Sequence, residues 1–411
     1  MKTPAFHRWR LIPILGALTA LCPFSIDMYL PAFLRIASDF QVPAARVTLS
    51  LSGFFIGMAA GQLFYGPLLD RFGRKRPLYA ALAIYGTASI GCSFSRSMDM
   101  LIVLRFIQAV GGCGVDVAAI AFVRDYFTGK EAAKVFSFLL LILAVSPLFA
   151  PSVGGILVLF MGWRSIFVVL TGISVTLGLT AYFYLPAGNP PDLSRSLRPR
   201  PIVKAYIGIW KTPGFSTYAL AGSLALFGLF MYVSSSPIIF LQIFKVTPKT
   251  YGWLFSLMAI GFVGTSQLNH VLLRRFTSQQ ILRTGLMGMT LVGLSFLIGT
   301  WTGRCGLAGT IGCMFFYLAF FGISNPNAAA LALSPFSKNA GSASALLGFL
   351  QLGIGAVSSV GISFLKTPVL VPLAGMFAAS SFLALLMLIT GRQALEPSHA
   401  EPSALEIPPA I

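Results

Sequence analysis

The chain has 411 residues, 56% hydrophobic and only 10% charged, with a mean hydropathy of +0.83. Soluble domains carry roughly 25% charged residues, so the composition excludes an ordinary soluble protein and points to a chain that crosses a bilayer many times. A net charge of +18 would suggest nucleic acid in a soluble protein, but here the cations lie in short segments between apolar runs, and nucleic acid is set aside as a partner.

Residues 1–10 carry Lys2, Arg8 and Arg10. The apolar run that follows, about 11–34, is too long for a cleaved leader and no small-residue cleavage site closes it, so it reads as a first span. Further runs at about 46–69, 77–95, 101–123, 134–160 and 163–185 each have the length of a membrane helix. From Pro186 the pattern breaks with Pro-Ala-Gly-Asn-Pro-Pro and five cations, which predicts a basic linker over 188–212 with an amphipathic helix near Ile202–Trp210. Six more runs follow at about 213–241, 250–273, 280–300, 305–333, 341–365 and 368–391, and 392–411 reads as a disordered tail.

The predicted fold is therefore an all-α membrane protein of twelve transmembrane helices, with six-helix halves over 1–187 and 213–391. Most of the 29 Lys and Arg fall on the side of residues 1–10, which predicts both termini in the cytoplasm. The halves echo one another: Leu68-Leu-Asp-Arg-Phe72 matches Leu272-Leu-Arg-Arg-Phe276, and Gly57 falls on Gly261, half a chain length apart. Such a parallel repeat is one way transporters are built.

Few residues in the runs carry chemistry. The five cysteines contain no C-x-x-C pair and the three histidines are dispersed, so neither a disulfide framework nor a metal site is expected. No G-x-x-x-x-G-K-[ST] loop or nucleophile–base constellation appears, which argues against an enzyme and against ATP as the energy source. Only Asp27, Asp116 and Arg105 are ionisable and well inside runs, and such groups are functional candidates by default. Asp27, in Ser25-Ile-Asp27-Met-Tyr29-Leu-Pro31, and Arg105 fall at similar depth and are expected to be able to pair. Asp116 is eleven residues beyond Arg105, about 16 Å along the same helix face, which Gln108 and Gly112 share. Burial and a neighbouring cation act oppositely on a carboxyl's hold on its proton. A conformational change that alters either would load and release a proton.

The densest cluster is Gly61-Gln-Leu-Phe-Tyr-Gly66-Pro67-Leu-Leu-Asp70-Arg71-Phe-Gly73-Arg74-Lys75-Arg76-Pro77. Its cations would each cost about 3 kcal/mol near the centre of a membrane helix, so it must be a tight loop between the second and third spans. Gly61 and Gly66 are expected to present a small-residue packing face, and Gly73 a turn with positive φ.

From Gly66 to Lys75 this loop resembles the signature between helices 2 and 3 of the major facilitator superfamily of transporters. Arg105-Phe-Ile-Gln108-Ala-Val-Gly111-Gly112 resembles that family's helix 4 signature, whose arginine is associated with proton transfer. Pro147-Leu-Phe-Ala150-Pro151-Ser-Val-Gly154-Gly155 resembles the helix 5 signature of its antiporters, with Ala150 in place of the usual glycine; two prolines and paired glycines also make a bent, closely packed helix. With Asp27-Met-Tyr-Leu-Pro31, Arg124-Asp125, Ala340-Gly-Ser-Ala-Ser-Ala-Leu346 and Gln351, the chain is similar to the bicyclomycin and chloramphenicol resistance (Bcr/CflA) branch.

The resemblance implies a monomeric, proton-coupled exporter of small drug-like amphipathic compounds in a bacterial inner membrane, with no cofactor beyond the proton gradient. It implies proton coupling at Asp27 and Arg105. Asp116 is the candidate second acid, because Thr19 stands where some multidrug relatives carry one. It also implies a conformational latch of Gly66, Asp70, Arg71, Gly73, Arg74, Lys75 and Asp125, in which Asp70 caps the eleventh helix near Ser342 when the cytoplasmic side is closed and Arg74 pairs with Asp125. Tyr29, Tyr232, Asn325, Asn327 and Gln351, with Gln108 on the polar stripe, are candidate substrate contacts. Each is as readily an interhelical hydrogen bond. A metabolite exporter, a proton symporter on the same fold and a transport-inactive sensor stand as alternatives.

Overall fold

The computed structural model describes residues 11–186, 191, 199–336, 340–365 and 369–393. Among these there is no strand: the chain is a succession of helices, as a bilayer demands when no water is present to satisfy backbone polar groups. In order they are α1 (Leu11–Asp27), α2 (Phe33–Asp39), α3 (Ala44–Phe72), α4 (Lys75–Ser93), α5 (Met98–Tyr126), α6 (Gly129–Met161), α7 (Arg164–Tyr184), α8 (Pro199–Trp210), α9 (Pro213–Ser236), α10 (Pro248–Leu272), α11 (Ser278–Trp301), α12 (Leu307–Leu333), α13 (Ala340–Ser363) and α14 (Leu370–Gln393).

Ten of the helical segments are long and apolar enough to cross a membrane, the first running through α1 and α2. The expected spans at 77–95 and 250–273 are helices too, α4 and α10, but α4 is short and carries Lys75 and Arg76 in its first turn, and α10 carries Gln267, Asn269 and His270 toward its end, which keeps them out of the ten. The expected linker helix is α8. The tail beyond residue 393, the first ten residues and much of the linker before α8 lie outside the described residues. Large apolar side chains such as Phe160, Trp301 and Phe364 are more than three-quarters exposed, the outward face a lipid-embedded bundle requires.

Local chemistry sets the helix ends. Ser97 accepts from the Met100 N–H at the start of α5, and Thr277 and Gln280 form a capping box on α11. Gly73, at φ 77°, ends α3 in the expected turn, and Gly162, at φ 78°, does the same for α6.

Prolines break the helix ladders, and side chains repair them. Pro31 cannot donate to the carbonyl four residues back, that of Asp27. The run expected to be one helix to residue 34 instead stops at Asp27 and passes through a 3₁₀ turn, Leu30–Ala32, into α2. Pro237 likewise cannot serve the Val233 carbonyl, which accepts from the Ser236 hydroxyl at 3.2 Å, and the chain continues as a π-helical stretch, Pro237–Ile243. Pro67 frees the Leu63 carbonyl, and here the donor comes from the linker: the Tyr206 hydroxyl, at 3.3 Å.

Close approach needs small residues, because lipid gives helices no hydrophobic reason to associate. A Cβ on Gly57 would lie 2.4 Å from the Phe106 carbonyl oxygen, and one on Gly61 2.7 Å from the Cys113 Cβ, so α3 lies against α5. Gly261 does the equivalent on α10, against the Phe315 ring of α12. Gly66 does not join this face: nothing lies within 4 Å of the space its Cβ would fill, because five residues past Gly61 is about 140° round the helix.

The first group of helices, α1 to α7, meets the second, α9 to α14, along two seams. On one, α3 crosses α13, where the Thr48 hydroxyl donates to the Ser359 carbonyl at 3.2 Å and Gln62 abuts Gly348, and Phe55 of α3 packs on Phe230 of α9 with ring centroids 4.5 Å apart. On the other, α6 meets α10 where the Ser256 hydroxyl donates to the Leu148 carbonyl at 2.8 Å and Gly252 lies against Ser152.

Candidate functional site

Arg105 is wholly buried and held by α1, α3, α5 and α7 together. Its Nη1 donates to Gln108 Oε1 at 2.6 Å and its Nη2 to the Ser25 carbonyl at 3.1 Å. Three rings face the guanidinium: Phe54 at 4.2 Å from its carbon to the centroid, Tyr29 at 4.8 Å and Phe167 at 5.8 Å. Such an aromatic cage with two strong hydrogen bonds is how a cation survives without water. The partners are themselves fixed: Gln108 Nε2 donates to Ser89 Oγ at 2.7 Å, Tyr29 shares a hydrogen bond with Ser50 at 2.8 Å, and the Ser25 and Tyr85 hydroxyls are bonded to each other. Of the residues expected at the substrate, Gln108 has its amide engaged by Arg105 and Ser89, and Tyr29 has its hydroxyl engaged by Ser50 and its ring against Arg105. One atom is left over: Arg105 Nε has no hydrogen-bond partner among the described residues.

Asp27 does not pair with Arg105. Ser25, whose carbonyl meets Arg105, is two residues away, about 200° round the helix, so Asp27 points out of the first group rather than into it. Asp27 is 5% exposed, and its carboxylate makes no ion pair or hydrogen bond among the described residues. What it faces belongs to the second group. The hydroxyls of Tyr232 and Tyr251 lie within electrostatic reach of its charge, at the level where Pro237 distorts α9. Tyr251 shares a hydrogen bond with Ser236 at 2.9 Å, whereas the buried hydroxyl of Tyr232, whose ring stacks on Phe255, has no partner among the described residues. Tyr251 and Ser236 were not legible as site residues in the sequence; the one signal was their nearness to Pro237 and to the start of a span.

Asp116 is half-buried and within electrostatic reach of Cys22 and Cys113, and Gly112, between it and Gln108 on the stripe, lies against Cys22 Sγ. It makes no ion pair with Arg105, as their separation along α5 requires. In the second group Asn327 forms an interhelical hydrogen bond, its Nδ2 donating to Asn269 Oδ1 at 2.7 Å. Asn325 keeps a buried Oδ1 with no partner among the described residues, and Gln351 is half-buried on α13.

The loop between α3 and α4 forms half of the expected latch. Arg74 grips Asp125 through Nε at 2.8 Å and Nη2 at 3.2 Å, a two-pronged contact on a carboxylate only 5% exposed. Burial opposes the charge on Arg74, but its bonds to Asp125 and Asp70 outweigh that and hold its pKa above the usual value. Asp70 does not reach Ser342. It accepts from Arg74 Nη1 at 2.8 Å instead, because the Gly73 turn folds Arg74 back one helical turn onto it. Arg71 lies over the Phe72 ring, and Lys75 opens α4. On α6, Pro147 and Pro151 lie inside the helix and Ala150 is fully buried. A Cβ on Gly154 would come 2.1 Å from the Met28 carbonyl oxygen, while one on Gly155 would come no nearer than 3.8 Å, to the Pro248 carbonyl of α10.

Two groups of helices that meet around a bare buried acid, with a caged arginine in one group and a paired loop at the membrane surface, are the parts of a carrier rather than of an enzyme. The chain belongs to the Major Facilitator Superfamily, whose model matches residues 15–360. It is a multi-pass membrane transporter. It is 30% identical over 365 residues to a bicyclomycin resistance protein homolog of Haemophilus influenzae, covering 87% of this chain and 90% of that one. It is 28% identical over 400 residues to the multidrug resistance protein MdtL of Klebsiella pneumoniae, covering 95% and 97%. Among solved structures it superposes on a D-xylose-proton symporter with a TM-score of 0.73 at 16% identity, over 92% of this chain and 96% of that one, a likeness of fold.

Proposed function

We propose that this transporter is a proton-coupled antiporter that exports small amphipathic, drug-like compounds across a bacterial inner membrane, acting as a monomer. In this reading all twelve long helices span the bilayer, the halves are 1–187 and 213–391, and both termini are cytoplasmic. The observation that carries it is Asp27: a carboxylate without a partner, at a helix break, aimed from one half at the other.

Buried among apolar groups, such a carboxylate favours the protonated form, and contact with water or a cationic substrate favours the ionised one. Rocking of the halves changes which of these Asp27 meets, so a proton and a substrate occupy it in turn. Arg105 keeps a fixed positive charge in the same half, and Asp116 takes part as a second acid. Tyr232, Asn325 and Gln351 contact substrate, and Tyr232 and Asn325 have buried polar atoms to spare. The Arg74–Asp125 contact biases one state over the other; a bistable carrier needs only a small bias. The names of the two relatives support a drug as cargo.

The test uses vesicles of purified protein with a trapped pH-sensitive dye and an imposed proton gradient. Chloramphenicol-like and bicyclomycin-like compounds should trigger proton flux opposite to drug movement, and Asp27→Asn should abolish it. Flux in the same direction would make the protein a symporter, and Asp27→Asn flux equal to wild type would remove Asp27 from the mechanism.

A further inference from the structure

On the lipid-facing flank of the first helical group, α4 and α7 enclose a groove of about 530 Å³. Tyr79, Gly86 and Ile90 line it from α4, and Ser174, Gly178 and Tyr182 from α7. Its polar side chains turn inward onto backbone: Ser174 Oγ donates to the Leu82 carbonyl at 2.9 Å and the Tyr79 hydroxyl to that of Ala181 at 3.3 Å, which leaves the slot apolar. Nothing lies within 4 Å of where a Cβ on Gly178 would sit, so that glycine keeps the floor open. From Tyr79 to Ile90 the slot runs eleven residues, about 16 Å, or roughly one leaflet of a hydrocarbon core about 30 Å thick.

The two ends differ. At one, the Tyr79 and Tyr182 rings stand 6.5 Å apart, and one turn further back on the same face of α4 are Lys75 and Arg76. Unlike Arg74, neither makes an ion pair among the described residues. An apolar slot one leaflet deep, headed by two tyrosines and two unneutralised cations, is complementary to an amphiphile with an anionic head. A second copy of this chain is not: neither α4 nor α7 contains an Asp or Glu, so docking of this face on itself would set cation against cation.

We propose that this groove binds one anionic phospholipid from the leaflet at the Lys75 end. Its phosphate lies against Lys75 and Arg76, and one acyl chain lies along the Gly178 floor between α4 and α7.

The test is native mass spectrometry of the full chain in mild detergent, titrated with phosphatidylglycerol and with phosphatidylcholine of the same acyl chains. The wild type should hold one phosphatidylglycerol in preference to phosphatidylcholine. Gly178→Leu, which fills the floor, should remove that binding. Arg76→Gln should weaken phosphatidylglycerol about fivefold, the effect of one surface cation, and leave phosphatidylcholine unchanged. Arg76 is exposed, so this variant decides the matter should Gly178→Leu fail to fold. Equal binding of the two lipids, or Arg76→Gln binding as wild type does, would overturn the proposal. So would a dimer that Gly178→Leu dissociates, which would assign the groove to a second copy.

Discussion

The hydroxyl of Tyr206 repairs a backbone defect that a proline creates in another helix, and this makes a double-mutant cycle possible. In α3 the Leu63 carbonyl would accept from residue 67, but Pro67 has no N–H, and the linker helix α8 supplies the donor at 3.3 Å. Tyr206→Phe keeps the ring and removes the donor. A typical net hydrogen bond contributes about 1 kcal/mol, and the length of this one places it toward the lower end of the 0.5–1.5 kcal/mol range. Local opening of α8 should therefore become about two- to fivefold more frequent. Amide hydrogen exchange over 199–210 reads this directly. Pro67→Ala gives α3 its own donor for Leu63, so in that background Tyr206→Phe should change exchange by less than half as much. The same acceleration in both backgrounds would mean that Tyr206 acts through packing alone, and no acceleration in either would mean the bond does not hold the linker.

Three further outcomes test the site. Gly154→Ala, whose Cβ would sit 2.1 Å from a backbone oxygen, should cost about 1–3 kcal/mol and lower the melting temperature clearly, whereas Gly155→Ala should scarcely change it; equal melting temperatures would refute the close α1–α6 contact. Arg105→Lys keeps the charge but cannot meet Gln108, Ser25 and three rings together, so drug-triggered proton flux should fall at least about tenfold, and flux within twofold of wild type would show that charge alone suffices. Asp116→Asn should shift the pH profile of transport. An unchanged profile and rate would confine coupling to Asp27.

Much of this was legible in the sequence because bilayer physics is severe. A stretch of about twenty apolar residues has few alternatives to a helix, and a loop such as Arg71–Arg76 cannot lie in hydrocarbon. The pairing of Arg74 with Asp125 was implied by the family resemblance of the loop, and the two side chains lie 2.8 Å apart. Depth is readable in the same way: 1.5 Å per residue placed Asp27 and Arg105 at one level.

Direction across the bundle is another matter. Asp27 and Arg105 share a depth, yet each looks into a different group of helices, and which neighbour fills each side is set by packing between segments tens of residues apart for Arg105 and more than two hundred apart for Asp27. Tyr251 and Ser236 could join Asp27 only once α9 and α10 were placed against α1. Asp70 lies beside Arg74 because the Gly73 turn brings the two together within the loop, whereas its distance from Ser342 is set by how the two halves stand to each other. The sequence by itself determined which residues enter the membrane and how deep they lie, since that depends on each segment's transfer from water. Only the tertiary structure decided which charges meet, because that depends on how helices of similar polarity turn toward one another, and lipid leaves that choice to a few glycines, prolines and hydroxyls.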